Sequence, residues 1–179
     1  MNKRCFLAVP LTDYARNHIK KLGILPGRKV PLEKLHLTLH FLGNVEEQAL
    51  NALIKELKTT PLGQPFEIQF SELGAFPKQT HARVLWLGVK KGSEELNQLV
   101  LTLGEKLKAL NFKIEERPYL PHLTISRLDP PKNLTTWIDF TSFKPFVMPA
   151  QEIILYQSVL EENQSRYLEL QRYPFLSKS

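Results

Sequence analysis

An α+β fold made of two similar lobes is what this sequence predicts, and three observations carry the prediction. A tetrapeptide occurs twice, His36-Leu37-Thr38-Leu39 and His122-Leu123-Thr124-Ile125, each time opening a short apolar run. The chain has five histidines, so two of them stand in matching frames about half a chain apart. Each motif follows a strand-like and then a helix-like stretch, so strand, helix and motif strand recur. The chain then closes on what reads as a hairpin, which makes the pairing mostly antiparallel.

Element by element, Arg4–Pro10 reads as a strand ended by its proline. Thr12 can cap a helix to about Leu22, with Tyr14, Ala15, Ile19 and Leu22 on one side and His18 on the polar surface. Residues 23–31 are turn-rich. His36–Gly43 is short and uncapped, so a strand is expected. Strict alternation then puts His36, Thr38 and His40 on one face and Leu37, Leu39 and Phe41 on the core side. Same-face neighbours stand about 7 Å apart, so His36 and Thr38 can reach one phosphate-sized group.

Asn44-Val45-Glu46-Glu47 has the form of a capping box opening a helix to about Lys58. Residues 66–73 and 82–90 alternate like strands, with His81 in the loop between them. Ser93 can cap a helix whose stripe is Leu96, Leu99, Val100, Leu103, Leu107 and Leu110. The second motif reads as a strand with His122, Thr124 and Ser126 on one face. Residues 129–150 are rich in Pro and Thr, with one helical turn near 133–138. The runs 151–160 and 166–175 form the closing hairpin across the polar loop 161–165.

The 179 residues, 42% of them apolar, fit one domain, 1–179, of two interleaved lobes. The longest apolar runs are too short to cross a membrane as a helix. MNKRCFLAVP lacks the apolar length and cleavage site of a signal peptide. The single Cys5 excludes an internal disulfide, is expected in a buried strand and fits a cytoplasmic protein. A net charge of +6 favours polyanion partners such as RNA. Nothing in the sequence indicates a coiled coil or an exposed apolar stripe, so a monomer is expected.

Two histidines from different segments can act as an acid and base pair, one imidazole accepting a proton while the other, as imidazolium, gives one up. Each threonine hydroxyl can bind a non-bridging phosphate oxygen. Arg127, just after the second motif, can add a cation for that phosphate or stack on a base. A phosphodiester passing through a charged pentacovalent state suits such a site. A metal site fits poorly. On a strand His36 and His40 would stand about 13 Å apart, and no H-E-x-x-H pattern or Cys/Asp cluster is present. A nucleotide-dependent ligase fits no better, because the chain has no G-x-x-x-x-G-K-[ST] loop. A non-catalytic RNA-binding module remains a rival, separable by whether His36→Ala abolishes turnover while sparing RNA affinity.

These features resemble the 2H phosphoesterase superfamily, named for two H-x-[ST]-x motifs, and within it the RNA 2′,3′-cyclic phosphodiesterases also called 2′-5′ RNA ligases. The resemblance covers nearly the whole chain: RCFLAVP, HLTLHFLG, GAFP followed by RVLWLGV, and PHLTISR occur in the family's order. Ser126-Arg127 stands where the family often has Ala-Arg. The resemblance implies a bilobal, pseudo-twofold fold with the site in the cleft between lobes. It implies hydrolysis of a 2′,3′-cyclic phosphate RNA end, such as that of a cleaved tRNA, to a 2′-phosphate, with no metal or other cofactor. By motif position, His36 would be the proton donor and His122 the proton acceptor. Thr38, Thr124 and Arg127 would bind the phosphate. A 5′-hydroxyl RNA end in place of water would give a 2′-5′ linkage. The residues themselves leave the acid/base order open.

Overall fold

The apolar run Cys5–Val9 is buried without a break, as befits a central strand covered on both faces. It forms the middle of β1 (Lys3–Pro10) in the computed structural model, which describes residues 2–161 and 164–176. Then come α1 (Asp13–Lys20), the two-residue β2 (Arg28–Lys29), β3 (His36–Val45), α2 (Glu47–Thr59), β4 (Phe66–Phe76) and β5 (Ala82–Val89). They are followed by α3 (Ser93–Ala109), β6 (His122–Lys132), α4 (Thr135–Phe140), β7 (Phe146–Ala150), β8 (Glu152–Glu161) and β9 (Gln164–Pro174).

The strands form two antiparallel sheets. One has the order β3-β1-β8-β9, the other β2-β6-β5-β4-β7. The fold is therefore α+β and two-lobed, and the two sheets draw their strands from alternating parts of the chain. The first sheet takes its strands from both ends of the sequence, while β2 leaves the N-terminal half to join the second. Helices cross over too. α1 follows β1 yet packs on β7, where His18 stacks on Phe146 at 5.0 Å. α3 follows β5 yet packs on β3.

The structure corrects several local expectations. Thr12 does cap α1, its hydroxyl accepting the Ala15 N–H at 3.2 Å. The expected capping box at Asn44 does not form: β3 runs on through Val45, and α2 starts after Glu46 with no side-chain cap. Ser93 is the first residue of α3 and not its cap. Gly92 holds that place at φ 86°, where a Cβ would come 2.5 Å from the Glu67 carbonyl oxygen. Within the Pro-rich stretch 129–150, β6 extends through two prolines and β7 pairs with β4. Both segments are sheet margins, where the missing proline N–H breaks no ladder bond. The closing hairpin is present as β8 and β9. Its polar loop lies partly outside the described residues.

Candidate active site

Both motifs open strands, and both strands depart from strict alternation at the same place. From its first residue, β3 runs half-buried, buried, half-buried, buried, buried, exposed, buried, exposed, exposed. β6 repeats that order over its first nine residues. The cause is a β-bulge. Across from β1, Ala8 faces Thr38 but Leu7 faces His40, leaving Leu39 unpaired. Across from β5, Trp86 faces Thr124 but Leu85 faces Ser126, leaving Ile125 unpaired. One inserted residue turns the side chains that follow it over, up to the next register shift of each strand.

The bulge corrects three expectations. His40 does not share the face of His36 and Thr38. It is buried at 6% exposure, with Nε2 2.8 Å from the Val100 carbonyl oxygen of α3. That carbonyl can only accept, so Nε2 carries the proton, and burial pushes the imidazole pKa down. Ser126, the counterpart of His40, is likewise buried and donates to the Pro26 carbonyl at 2.5 Å. Phe41 does not face the core. It is 68% exposed on the face of His36 and Thr38, and Arg127 is its exposed counterpart in β6. Without the bulge, Arg127 would point away from His122 and Thr124.

β3 and β6 touch where the two sheets meet. Tyr119, just ahead of β6, donates its hydroxyl to the Thr38 carbonyl at 2.9 Å and ties the motif strands together. The His36 and His122 rings are held alike. His36 Nδ1 lies 2.7 Å from the Lys34 carbonyl and His122 Nδ1 lies 2.8 Å from the Leu120 carbonyl. Each acceptor is two residues before its histidine. A carbonyl accepts only, so Nδ1 bears a proton in both rings and Nε2 is the atom left to exchange one. The sequence alone gave no sign of these two carbonyls.

Aromatic walls flank each imidazole. His36 lies 4.8 Å from Phe6 and edge-on to Tyr167 at 5.3 Å, with Tyr156 at 6.3 Å. His122 meets Phe76 edge-on at 4.9 Å and Trp86 at 6.2 Å. Burial pushes the His36 pKa down to about 4; the Lys34 carbonyl partly opposes this and the Arg127 charge adds to it. His122 is lowered by the same set of causes, with the Leu120 carbonyl opposing. Arg127 thus acts electrostatically on both rings. The Arg127 charge reaches both His36 and His122, Thr38 and Thr124 share the strand faces of these histidines, and His40 is turned away from them. No group of three or more His, Cys, Asp or Glu placed to hold a metal ion occurs among the described residues.

Comparison with known proteins shows the family. The profile of the 2′-5′ RNA ligase superfamily matches residues 13–159. An RNA 2′,3′-cyclic phosphodiesterase of Archaeoglobus fulgidus is 39% identical over 130 residues, covering 70% of this chain and 72% of the relative. One from Methanocaldococcus jannaschii is 36% identical over 174 residues, covering 89% and 94%. A crystal structure of E. coli LigT complexed with 3′-AMP superposes with a TM-score of 0.81 at 26% identity, covering 99% of this chain and 100% of that one. The profile match over most of the chain, together with these relatives, makes this protein a member of the 2′-5′ RNA ligase superfamily.

Proposed function

We propose that this protein is an RNA 2′,3′-cyclic phosphodiesterase that hydrolyses the cyclic end to a 2′-phosphomonoester by two-histidine acid–base catalysis without metal. The observation that carries the reading is the duplicated setting of the imidazoles: each has Nδ1 fixed on a backbone carbonyl, Nε2 free and the Arg127 charge nearby. The names of the relatives and the 3′-AMP carried by E. coli LigT support a nucleotide substrate.

In the proposed reaction His122 Nε2 takes a proton from water as its oxygen attacks phosphorus. The P–O3′ bond breaks and His36 Nε2–H protonates the departing O3′, leaving a 2′-phosphate and a free 3′-hydroxyl. Thr38 and Thr124 donate to the non-bridging oxygens, and Arg127 balances the charge that builds up on them. His36 must be charged to act as donor, yet burial and Arg127 drive its proton off in the free protein. Burial is the larger cause, so the donor role rests on the negative charge of the bound phosphate beside the imidazolium, which opposes burial as well as Arg127. The assignment of donor and acceptor follows motif position in the family. With a 5′-hydroxyl RNA end in place of water as the nucleophile, the same steps form a 2′-5′ linkage.

Among the described residues no helix is long and apolar enough to cross a membrane. We place the protein in the cytoplasm as a monomer working as one domain of interleaved lobes, with RNA fragments such as tRNA halves as substrates. The test is incubation with an oligonucleotide ending in a 2′,3′-cyclic phosphate, in excess chelator and without ATP. A 2′-phosphate product that disappears with His36→Ala and with His122→Ala is expected. A 3′-phosphate product, or activity that requires added metal, would overturn the mechanism.

A further inference from the structure

The two-residue strand β2 is held on β6 with more care than its length requires. Ser126, buried at the bulge, donates to the Pro26 carbonyl at 2.5 Å. The Val30 N–H donates to the Ile125 carbonyl at 2.9 Å. Gly27 adopts φ +80°, and a Cβ there would lie 2.5 Å from the Arg127 carbonyl oxygen, so only glycine permits the approach. The outcome is a defined register, with Arg28 directly opposite Arg127 and Lys29 opposite Ser126.

Directly opposed residues on antiparallel strands share a face, with Cβ atoms about 5 Å apart. Arg28 is exposed and therefore stands beside Arg127 on the cleft face, one strand further out from the histidines. Two like charges in that register repel. The ion pairs among the described residues engage neither arginine. A cross-strand arginine pair with no carboxylate partner among the described residues, on a strand fixed by three anchors, is an arrangement completed by an anion. Arg127 is already assigned to the reacting phosphate. Arg28 has no such assignment, and its planar guanidinium suits bidentate phosphate recognition.

We propose that Arg28 binds a second substrate phosphate, the internucleotide phosphodiester on the 5′ side of the cyclic end, so that the site is built for an oligonucleotide over a mononucleotide. This rests on the cyclic phosphodiesterase reading above and specifies its substrate. The cyclic phosphate sits at Arg127 and the histidines, and the next phosphate lies one strand spacing away over β2.

The test compares a nucleoside 2′,3′-cyclic monophosphate with a dinucleotide ending in the same cyclic phosphate. Arg28→Ala is expected to lower kcat/KM for the dinucleotide by about tenfold or more and to leave the mononucleotide within about twofold. Arg28→Lys should recover part of the loss. A dinucleotide whose internal linkage is an uncharged methylphosphonate should behave in the wild type like the native dinucleotide in Arg28→Ala. The salt dependence of dinucleotide kcat/KM should fall by about one phosphate's worth in the variant. Equal loss on both substrates, or no loss on either, would overturn the inference. Turnover of neither substrate by wild type would instead overturn the activity reading, and this inference with it.

Discussion

His36→Asn should flatten the dependence of stability on pH. His36 lies at about 4 in the folded protein, against about 6.5 in an unfolded chain. The lowered value means that the unfolded chain binds the proton first as pH falls. The stability contributed by keeping His36 neutral is therefore complete above about pH 6.5 and is lost as pH falls toward about 4. Between about pH 8 and about pH 5 the loss amounts to about 2 kcal/mol. Asparagine removes the titration, and its amide N–H can still reach the Lys34 carbonyl. His40 and His122 are lowered as well and titrate in the same direction, but they are present in both proteins. Urea denaturation at the two pH values, with m held common, isolates the His36 share. Equal losses in wild type and His36→Asn would refute the claim that burial and Arg127 keep this imidazole neutral.

Other outcomes are as specific. His40→Ala removes a buried ring and the donor to the Val100 carbonyl, and should cost about 2–4 kcal/mol; a loss below about 1 kcal/mol would contradict the assigned packing role. Gly74 lies under the Trp86 ring, where a Cβ would overlap ring carbons. Gly74→Ala should therefore cost about 1–3 kcal/mol and, by displacing Trp86 against His122, lower kcat, whereas unchanged stability and kcat would contradict this. Activity should be bell-shaped in pH because one histidine must be neutral and the other charged. A flat profile between about pH 5 and 8, with chemistry limiting, would rule out the two-histidine mechanism.

The paired site was legible in the sequence because it is duplicated: His36 with Thr38 and His122 with Thr124 keep one offset, and a repeat needs no knowledge of the fold. The strand assignment was legible too, because a glycine only eight residues in, at Gly43, disfavours a helix, although β3 runs on through it to Val45. The bulges were not. An extra residue at Leu39 or Ile125 leaves no compositional trace, and alternation carried past it puts His40, Phe41, Ser126 and Arg127 on the wrong faces. Arg127 reached the candidate list by its place just after the second motif, with the family resemblance in support, and the bulge is the physical reason it can serve. β2 and β7 were missed because short marginal strands are made by their partners and not by their own propensity. The carbonyls of Lys34 and Leu120, which set the tautomer of both histidines, belong to the backbone and depend on no side-chain identity.

The division of labour between the histidines can be tested directly with a substrate whose cyclic phosphate carries sulfur in place of the 3′ bridging oxygen. A thiolate departs without a proton, since thiols ionise near pH 8.5. If His36 protonates the leaving group, His36→Ala should be nearly inert on the oxygen substrate yet recover to within about tenfold of wild type on the sulfur one. His122→Ala should remain inert on both. Rescue of His122→Ala in place of His36→Ala would reverse the assigned roles, and rescue of neither would contradict acid–base catalysis by this pair.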